Sequence, residues 1–160
     1  MNKTYHSDIA FFKIINNLPF IFDSIENNGI ENLILNFNSG NYFACNFEFL
    51  SQKIEFRVSK VTPKKSGQFV VIWKRCINGK SIPYSSIDLI DFFVVLSKCE
   101  THYGYFVFPK SILVEKGILT KGCKEGKRGI RVYPSWDVPN NKQAVKTQNW
   151  QSKYFFCFFK

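Results

Sequence analysis

The sequence predicts an α+β fold: a single domain in which a largely antiparallel, strongly curved sheet or pseudobarrel of six to seven strands is flanked by two to four helices. Three observations predict it. A chain of 160 residues is long enough for one domain with a full core and short for two. With 45% hydrophobic and 18% aromatic residues it is too apolar to remain disordered. Short strand-like runs follow one another through hairpin-length connections, with no repeat, linker or low-complexity block and no regular alternation of strand and helix. Residues 1–30 read as an N-terminal helical segment and residues 31–160 as the sheet-rich body.

In chain order, Ser7 as N-cap, Asp8 in the first turn, and Phe11, Ile14, Ile15 and Leu18 before Pro19 predict an amphipathic helix. A second short helix is read over residues 19–27, ended by Asn28 and Gly29. From Tyr42 onward the pattern turns to strands. In KIEFRVSK, Ile54, Phe56 and Val58 alternate with Glu55, Arg57 and Ser59, which predicts one buried face and an outward-pointing Arg57. Pro63 and Gly67 punctuate a basic connection. QFVVIWKR then resumes as a strand with Phe69, Val71 and Trp73 on its inner face. Turns are expected at Asn78-Gly79 and over residues 83–86.

DFFVVL, residues 91–96, is apolar throughout with a β-branched centre, the mark of a central strand covered on both faces. YFVF follows and stops at Pro109, which lacks a backbone donor. Residues 110–116 predict a short helix ended by Gly117. LTKGCKEGKRG is a Gly- and Lys-rich loop leading into GIRVYP, a strand with Arg131 and Tyr133 on one face. NNKQAVKTQNWQ reads as a polar helix and KYFFCFF as the closing strand.

Net charge is +10 and unevenly placed. Residues 1–50 hold Lys3 and Lys13 against Asp8, Asp23, Glu26, Glu31 and Glu48, a balance of −3, while the remaining 110 hold twenty basic residues against seven acids, a balance of +13. Such asymmetry points to a polyanionic partner, nucleic acid before membrane. The apolar runs FFVVL and YFFCFF are strand-length, far short of the ~20 residues of a membrane helix, so no membrane partner is expected. Five cysteines with no C-x-x-C pair and no signal peptide predict free thiols in the cytoplasm. With only His6 and His102 beside them, neither a metal site nor a cofactor is expected.

Three basic clusters carry the functional reading: Lys60, Lys64, Lys65, Lys74 and Arg75; Lys110, Lys121, Lys124, Lys127, Arg128 and Arg131; and Lys142, Lys146 and Lys153. Lys and Arg neutralise phosphate, while Gln68, Gln143, Gln148 and Trp136 offer hydrogen bonds or stacking. Enzymatic motifs are poorer. GCKEGK at residues 122–127 has three residues between its glycines where a Walker loop has four, and Arg128 follows where Ser or Thr would hold magnesium. A restriction-type nuclease would need clustered acids, for which Asp88, Asp91 and Glu125 are the available candidates. Cys99 and His102 read as a buried thiol near a turn, not a catalytic pair.

KVTPKKSGQFVVIWKR, FVFPKSILVEKGI, GKRGIRVYPSWD and KQAVKTQNWQSKYF, in this order from about Phe37 to Phe159, resemble the MepB-like family of bacterial proteins. The matching residues are Lys60, Thr62, Pro63, Gly67, Gln68, Phe69, Trp73, Lys74 and Arg75; Phe108, Pro109, Lys110 and Gly117; Gly126, Lys127, Arg128, Arg131, Tyr133, Pro134 and Trp136; and Gln143, Lys146, Thr147, Gln148, Trp150 and Gln151. The resemblance implies a nucleic-acid-binding role and an architecture similar to the DNA-reading parts of restriction enzymes, with no established reaction. NFNSGNYFACNF departs from the family pattern, placing Asn36 and Asn38 where acids are usual. That weakens the nuclease reading.

The expectation is therefore a nucleic-acid-binding protein, acting on duplex DNA through Lys60, Lys64, Lys65, Gln68, Lys74, Arg75, Lys110, Lys127, Arg128, Arg131, Trp136, Lys146 and Gln148, with no catalytic residue. Gln68 and Gln148 are the expected base-edge contacts. Lys64 and Lys65 should share a groove with Arg131, and Lys60 should sit at the inner rim, paired with Asp88 or Asp91. The alternatives are a module that binds an acidic protein and a degenerate metal-dependent nuclease.

Overall fold

The computed structural model describes residues 30–36 and 44–159; the two helices read over residues 7–27 lie outside them. In chain order the strands are β1 (Ile30–Asn36), β2 (Ala44–Phe49), β3 (Gln52–Val58), β4 (Lys60–Thr62), β5 (Lys65–Val71), β6 (Trp73–Arg75), β7 (Ser81–Pro83), β8 (Phe92–Lys98), β9 (His102–Pro109), β10 (Gly129–Val132) and β11 (Phe155–Phe159). The helices are α1 (Lys110–Glu115) and α2 (Lys142–Gln151), the latter followed by a 3-10 turn, Ser152–Tyr154. β1, preceding the run that the sequence pattern marks as strands, is an element that pattern does not announce.

A six-stranded sheet in the order β1-β2-β3-β8-β9-β11 forms one layer, antiparallel throughout except for the parallel pair β3–β8. Parallel neighbours require a long crossover. Here the crossover is built of strands: β4, β5, β6 and β7 lie between β3 and β8, with β10-β5-β4 as a three-stranded sheet and β6-β7 as a separate hairpin. The sheets stay open, with β1 and β11 as edges of the large one. The expected pseudobarrel is corrected accordingly: the crossover diverts the chain into a second layer, so one sheet is covered by another and does not close on itself.

Both faces of the large sheet bury apolar side chains. One face carries Cys45, Phe47, Phe49, Ile54, Phe56, Phe92, Val94, Leu96, Tyr105 and Val107. The other face packs Phe93, Val95, Phe106 and Phe108 against Val70, Ile72, Ile130 and Val132 of the small sheet, with Ile112, Leu113, Ile118 and Leu119 closing the end. β8 is buried from Phe92 to Ser97, as its unbroken apolar run requires.

Local chemistry sets the boundaries. α1 begins after Pro109 and stops at Lys116 and Gly117, whose φ of 64° suits glycine. α2 starts at Asn141, whose side chain accepts the Ala144 N–H at 2.9 Å. The β4–β5 connection is tighter than its composition implies, since Thr62 pairs with Lys65 and only Pro63 and Lys64 turn the chain. Gly67 follows with a φ of 74°, and a side chain there would meet the Tyr133 ring at 2.6 Å.

Two facing assignments differ from the sequence reading. On β5 the buried side chains are those of Gln68 and Val70, continued by Ile72, while Phe69, Val71 and Trp73 are half-buried on the outer side. FVVIW is apolar at every position, so its period cannot say which side turns inward, and the paired Val132 and Ile130 of β10 settle it. Arg57, expected outward, is 3% exposed because the second layer covers the face of β3 that alternation alone leaves wet.

Candidate functional site

The basic residues fall into three groups. The first follows the small sheet. Arg131 stands opposite Phe69, which stands opposite Lys60, so these three share one cross-strand row on the outer face. The Arg131 guanidinium reaches the hairpin, donating to Ser66 O at 3.2 Å, Gly67 O at 3.1 Å and Thr62 Oγ1 at 2.8 Å. Lys64 and Lys65, both exposed, are thus on the hairpin that Arg131 braces. At the other end of β10, Ile72 donates to Arg128 O, and Arg128 Nε donates to Ser81 O, the residue facing Arg75 across β6–β7. Lys127, Arg128 and Arg75 are exposed. Arg75 lies over the Trp73 ring at 5.2 Å, and Arg128 pairs with Glu125 at 2.9 Å. None of β4, β5 and β10 contains an acidic residue.

The second group, Lys74 and Lys110, turns away from that track and converges on Asp88. Lys74 forms an ion pair with its carboxylate and Lys110 donates to its carbonyl. Asp88 also accepts the Ser85 N–H, and Asp91 accepts the Lys53 N–H at 2.8 Å. Asp88 and Asp91, the two acids that the sequence offers to Lys60, are thus engaged by Lys74, the Ser85 N–H and the Lys53 N–H.

The third group is internal. Gln68 is 2% exposed, accepts from Ser59 Oγ at 2.7 Å and donates to Lys98 O at 3.0 Å. Gln148 donates to Pro134 O and Asp137 O, holding the 134–137 loop on α2. Gln151 accepts the Tyr133 N–H and donates to Arg131 O, both at 2.9 Å, so its amide completes the outer edge of β10 as another strand would. Trp136 is half-buried between His102 and Phe155. The base-edge role expected of Gln68 is corrected by its burial, while Gln148, half-buried, spends its amide N–H groups on loop carbonyls: a glutamine amide has the same donor and acceptor as a peptide group. Lys146 is exposed on α2, whose approach touches the hairpin where Ser66 Oγ donates to Asn140 Oδ1.

The sequence reading misses a polar cluster beneath the second layer. Arg57 donates to Glu55 Oε2 at 3.2 Å, to Phe56 O at 2.8 Å and to the Tyr84 hydroxyl at 2.9 Å, and lies 5.5 Å from the Phe93 ring centre. Burial pushes the Glu55 carboxyl above its ordinary pKa, against the pull of Arg57 and the Tyr84 hydroxyl; the Tyr84 phenol is raised for the same reason. Cys45 on the neighbouring strand is pushed up to about 11 by burial, which keeps it a thiol. The available signal was DFFVVL: a strand covered on both faces implies a covered neighbour.

Glu55 also lines a pocket of about 280 Å³ at the β1–β2–β3 end of the large sheet, together with Asn46, Glu48, Lys53, Ile34 and Leu89. Among the described residues, no three His, Cys, Asp or Glu side chains gather as metal ligands, and no helix is long and apolar enough to cross a membrane.

The fold is thus a two-layered sheet whose β3–β8 crossover carries the basic hairpin. The MepB-like family model matches residues 36–157, and the chain belongs to the MepB-like family. A solved structure, the crystal structure of MepB, is 36% identical to it, covers 91% of this chain and 97% of that one, and superposes with a TM-score of 0.81. No curated protein matches the chain.

Proposed function

We propose that this protein binds nucleic acid, duplex DNA in the first instance, along the outer side of the small sheet. The observation that carries the reading is the acid-free ladder β4-β5-β10, lined by Lys64, Lys65, Arg131, Lys127, Arg128 and Arg75. From Lys65 to Ile72, opposite Arg128, the track runs about 23 Å at ~3.3 Å per residue. That matches about seven phosphates of one strand at ~3.4 Å spacing. The Arg128–Glu125 pair is a surface bridge of ~0–1 kcal/mol, which a phosphate displaces readily.

The test is fluorescence anisotropy on a labelled duplex across a salt series. Four to six phosphate contacts give a slope of log affinity on log salt near −4 to −5. Lys64→Ala with Lys65→Ala makes the slope shallower by about 2. Charge removal at these two tip residues is preferred to Arg131, whose guanidinium holds the hairpin. A salt-independent or undetectable interaction overturns the proposal, and tight binding to an acidic protein instead would favour that alternative.

A further inference from the structure

The pocket beside Glu55 is separate from the basic track and has the makings of a small-molecule site. Its floor is set by strand register. Ile34 faces Asn46 and Asn46 faces Glu55, and in the next row Glu48 faces Lys53. Paired Cβ atoms of this kind lie ~5 Å apart, so the Asn46 carboxamide and the Glu55 carboxylate present adjacent polar groups. Glu48 and Lys53 oppose each other in charge, and Glu55 is neutralised by Arg57. The pocket therefore favours no net charge in its occupant. What it offers is hydrogen-bond acceptors from Glu55 and a donor and acceptor from Asn46.

The roof is the 85–91 loop, which places Leu89 and Ile90 over the floor. Asp88 and Asp91 brace this loop: Asp88 takes Lys74, Lys110 and the Ser85 N–H, Asp91 accepts the Lys53 N–H, and the Asp91 N–H returns to Lys53 O at 2.8 Å. The Glu55 carboxylate is equally fixed, on a central strand and held by Arg57 at 3.2 Å. Ile34, 56% exposed, and Leu89, 78% exposed, form an open apolar lip around a few convergent polar groups whose partners are restrained. At about 280 Å³ it takes one ring system, not a polymer.

We infer that this pocket binds an amino-bearing nitrogen heterocycle of the nucleobase class, its ring between Ile34 and Leu89 and its donor–acceptor edge on Glu55 and Asn46. A carboxylate accepts from the amino and ring N–H groups of such an edge, and a carboxamide pairs with a neighbouring amino and ring nitrogen. Choosing a nucleobase among such heterocycles rests on the nucleic-acid reading. The edge chemistry itself stands without it.

The experiment is calorimetric titration of the full chain with adenosine, guanosine, cytidine, thymidine and ribose to millimolar concentration, alongside the duplex assay. The expected result is saturable binding of at least one amino-bearing nucleoside, with thymidine and ribose silent. Asn46→Ala weakens that binding about tenfold or more, whereas Lys64→Ala with Lys65→Ala leaves it unchanged. Asn46 is half-buried and floors the pocket, so its variant is checked by thermal melt, with Leu89→Ser at the exposed lip as the second variant. Silence from all three amino-bearing nucleosides, equal binding of thymidine, or unchanged affinity in both folded pocket variants overturns the inference. Each of these outcomes leaves the salt-dependent duplex result to stand or fall by itself.

Discussion

Replacing Gln68 by leucine separates a structural amide from a base-reading one. Gln68 sits on the inner side of β5, where its amide takes a hydrogen bond from Ser59 Oγ and gives one to Lys98 O. Ser59 Oγ retains other partners in Leu96 O and Ser97 Oγ, so it is not orphaned by the change. Lys98 O loses its side-chain donor. Losing the Ser59 bond at about 1 kcal/mol and leaving the part-buried Lys98 carbonyl short of its donor at about 1–3 kcal/mol, less the gain from a buried leucine, leave a loss of about 2 kcal/mol. With a urea m-value of ~2 kcal/mol/M, the unfolding midpoint falls by about 1 M. Gln68→Glu should cost more, because it adds a buried charge and turns an acceptor toward the Lys98 carbonyl. The assay is urea denaturation followed by tryptophan fluorescence, with duplex affinity measured on the folded fraction. An unchanged midpoint together with altered DNA sequence preference would refute the internal role and restore Gln68 to the surface.

Two further perturbations test features of the large sheet. The β2–β3 turn places Leu50 and Ser51 at φ values of 50° and 60°, a left-handed pair that Asn and Gly adopt far more easily, so Leu50→Asn with Ser51→Gly should raise stability by about 1–2 kcal/mol in chemical denaturation; no gain would mean that the exposed leucine has a compensating contact. Glu55 has its pKa raised above the ordinary 4.5 by burial, so the folded chain holds that proton more tightly than the unfolded one. The resulting stabilisation is complete below pH 4.5 and is lost as pH rises through the raised value. Denaturation midpoints of the wild type and Glu55→Gln, taken at a series of pH values, should therefore shift in the wild type's favour as pH falls from 7 toward 4.5. Parallel curves would show that Glu55 titrates normally.

Local pattern made much of this molecule legible. The alternation of Ile54 and Phe56, the unbroken Phe92–Leu96 run, the stop at Pro109, Gly117 after α1 and the polar helix after Asn141 each act through neighbours a few residues away, and each is where the sequence places it. Family membership rested on four motifs in order, and the charge asymmetry is a property of composition. Burial of a particular face is not local. Period two states that a strand has two sides, and only the crossover from β3 to β8 decides that a second sheet covers the side bearing Glu55 and Arg57. The same long-range packing turned Gln68, Val70 and Ile72 inward in a run apolar at every position, and drew Gln68, Gln148 and Gln151 onto backbone groups far along the chain. The pocket depends on the same contacts, since its floor and its roof come from strands and a loop more than thirty residues apart that meet through the Asp91–Lys53 bonds. A side chain's type is written in the sequence, but whether its charge or amide meets water, a ligand or the protein's own backbone is set by which distant element comes to cover it.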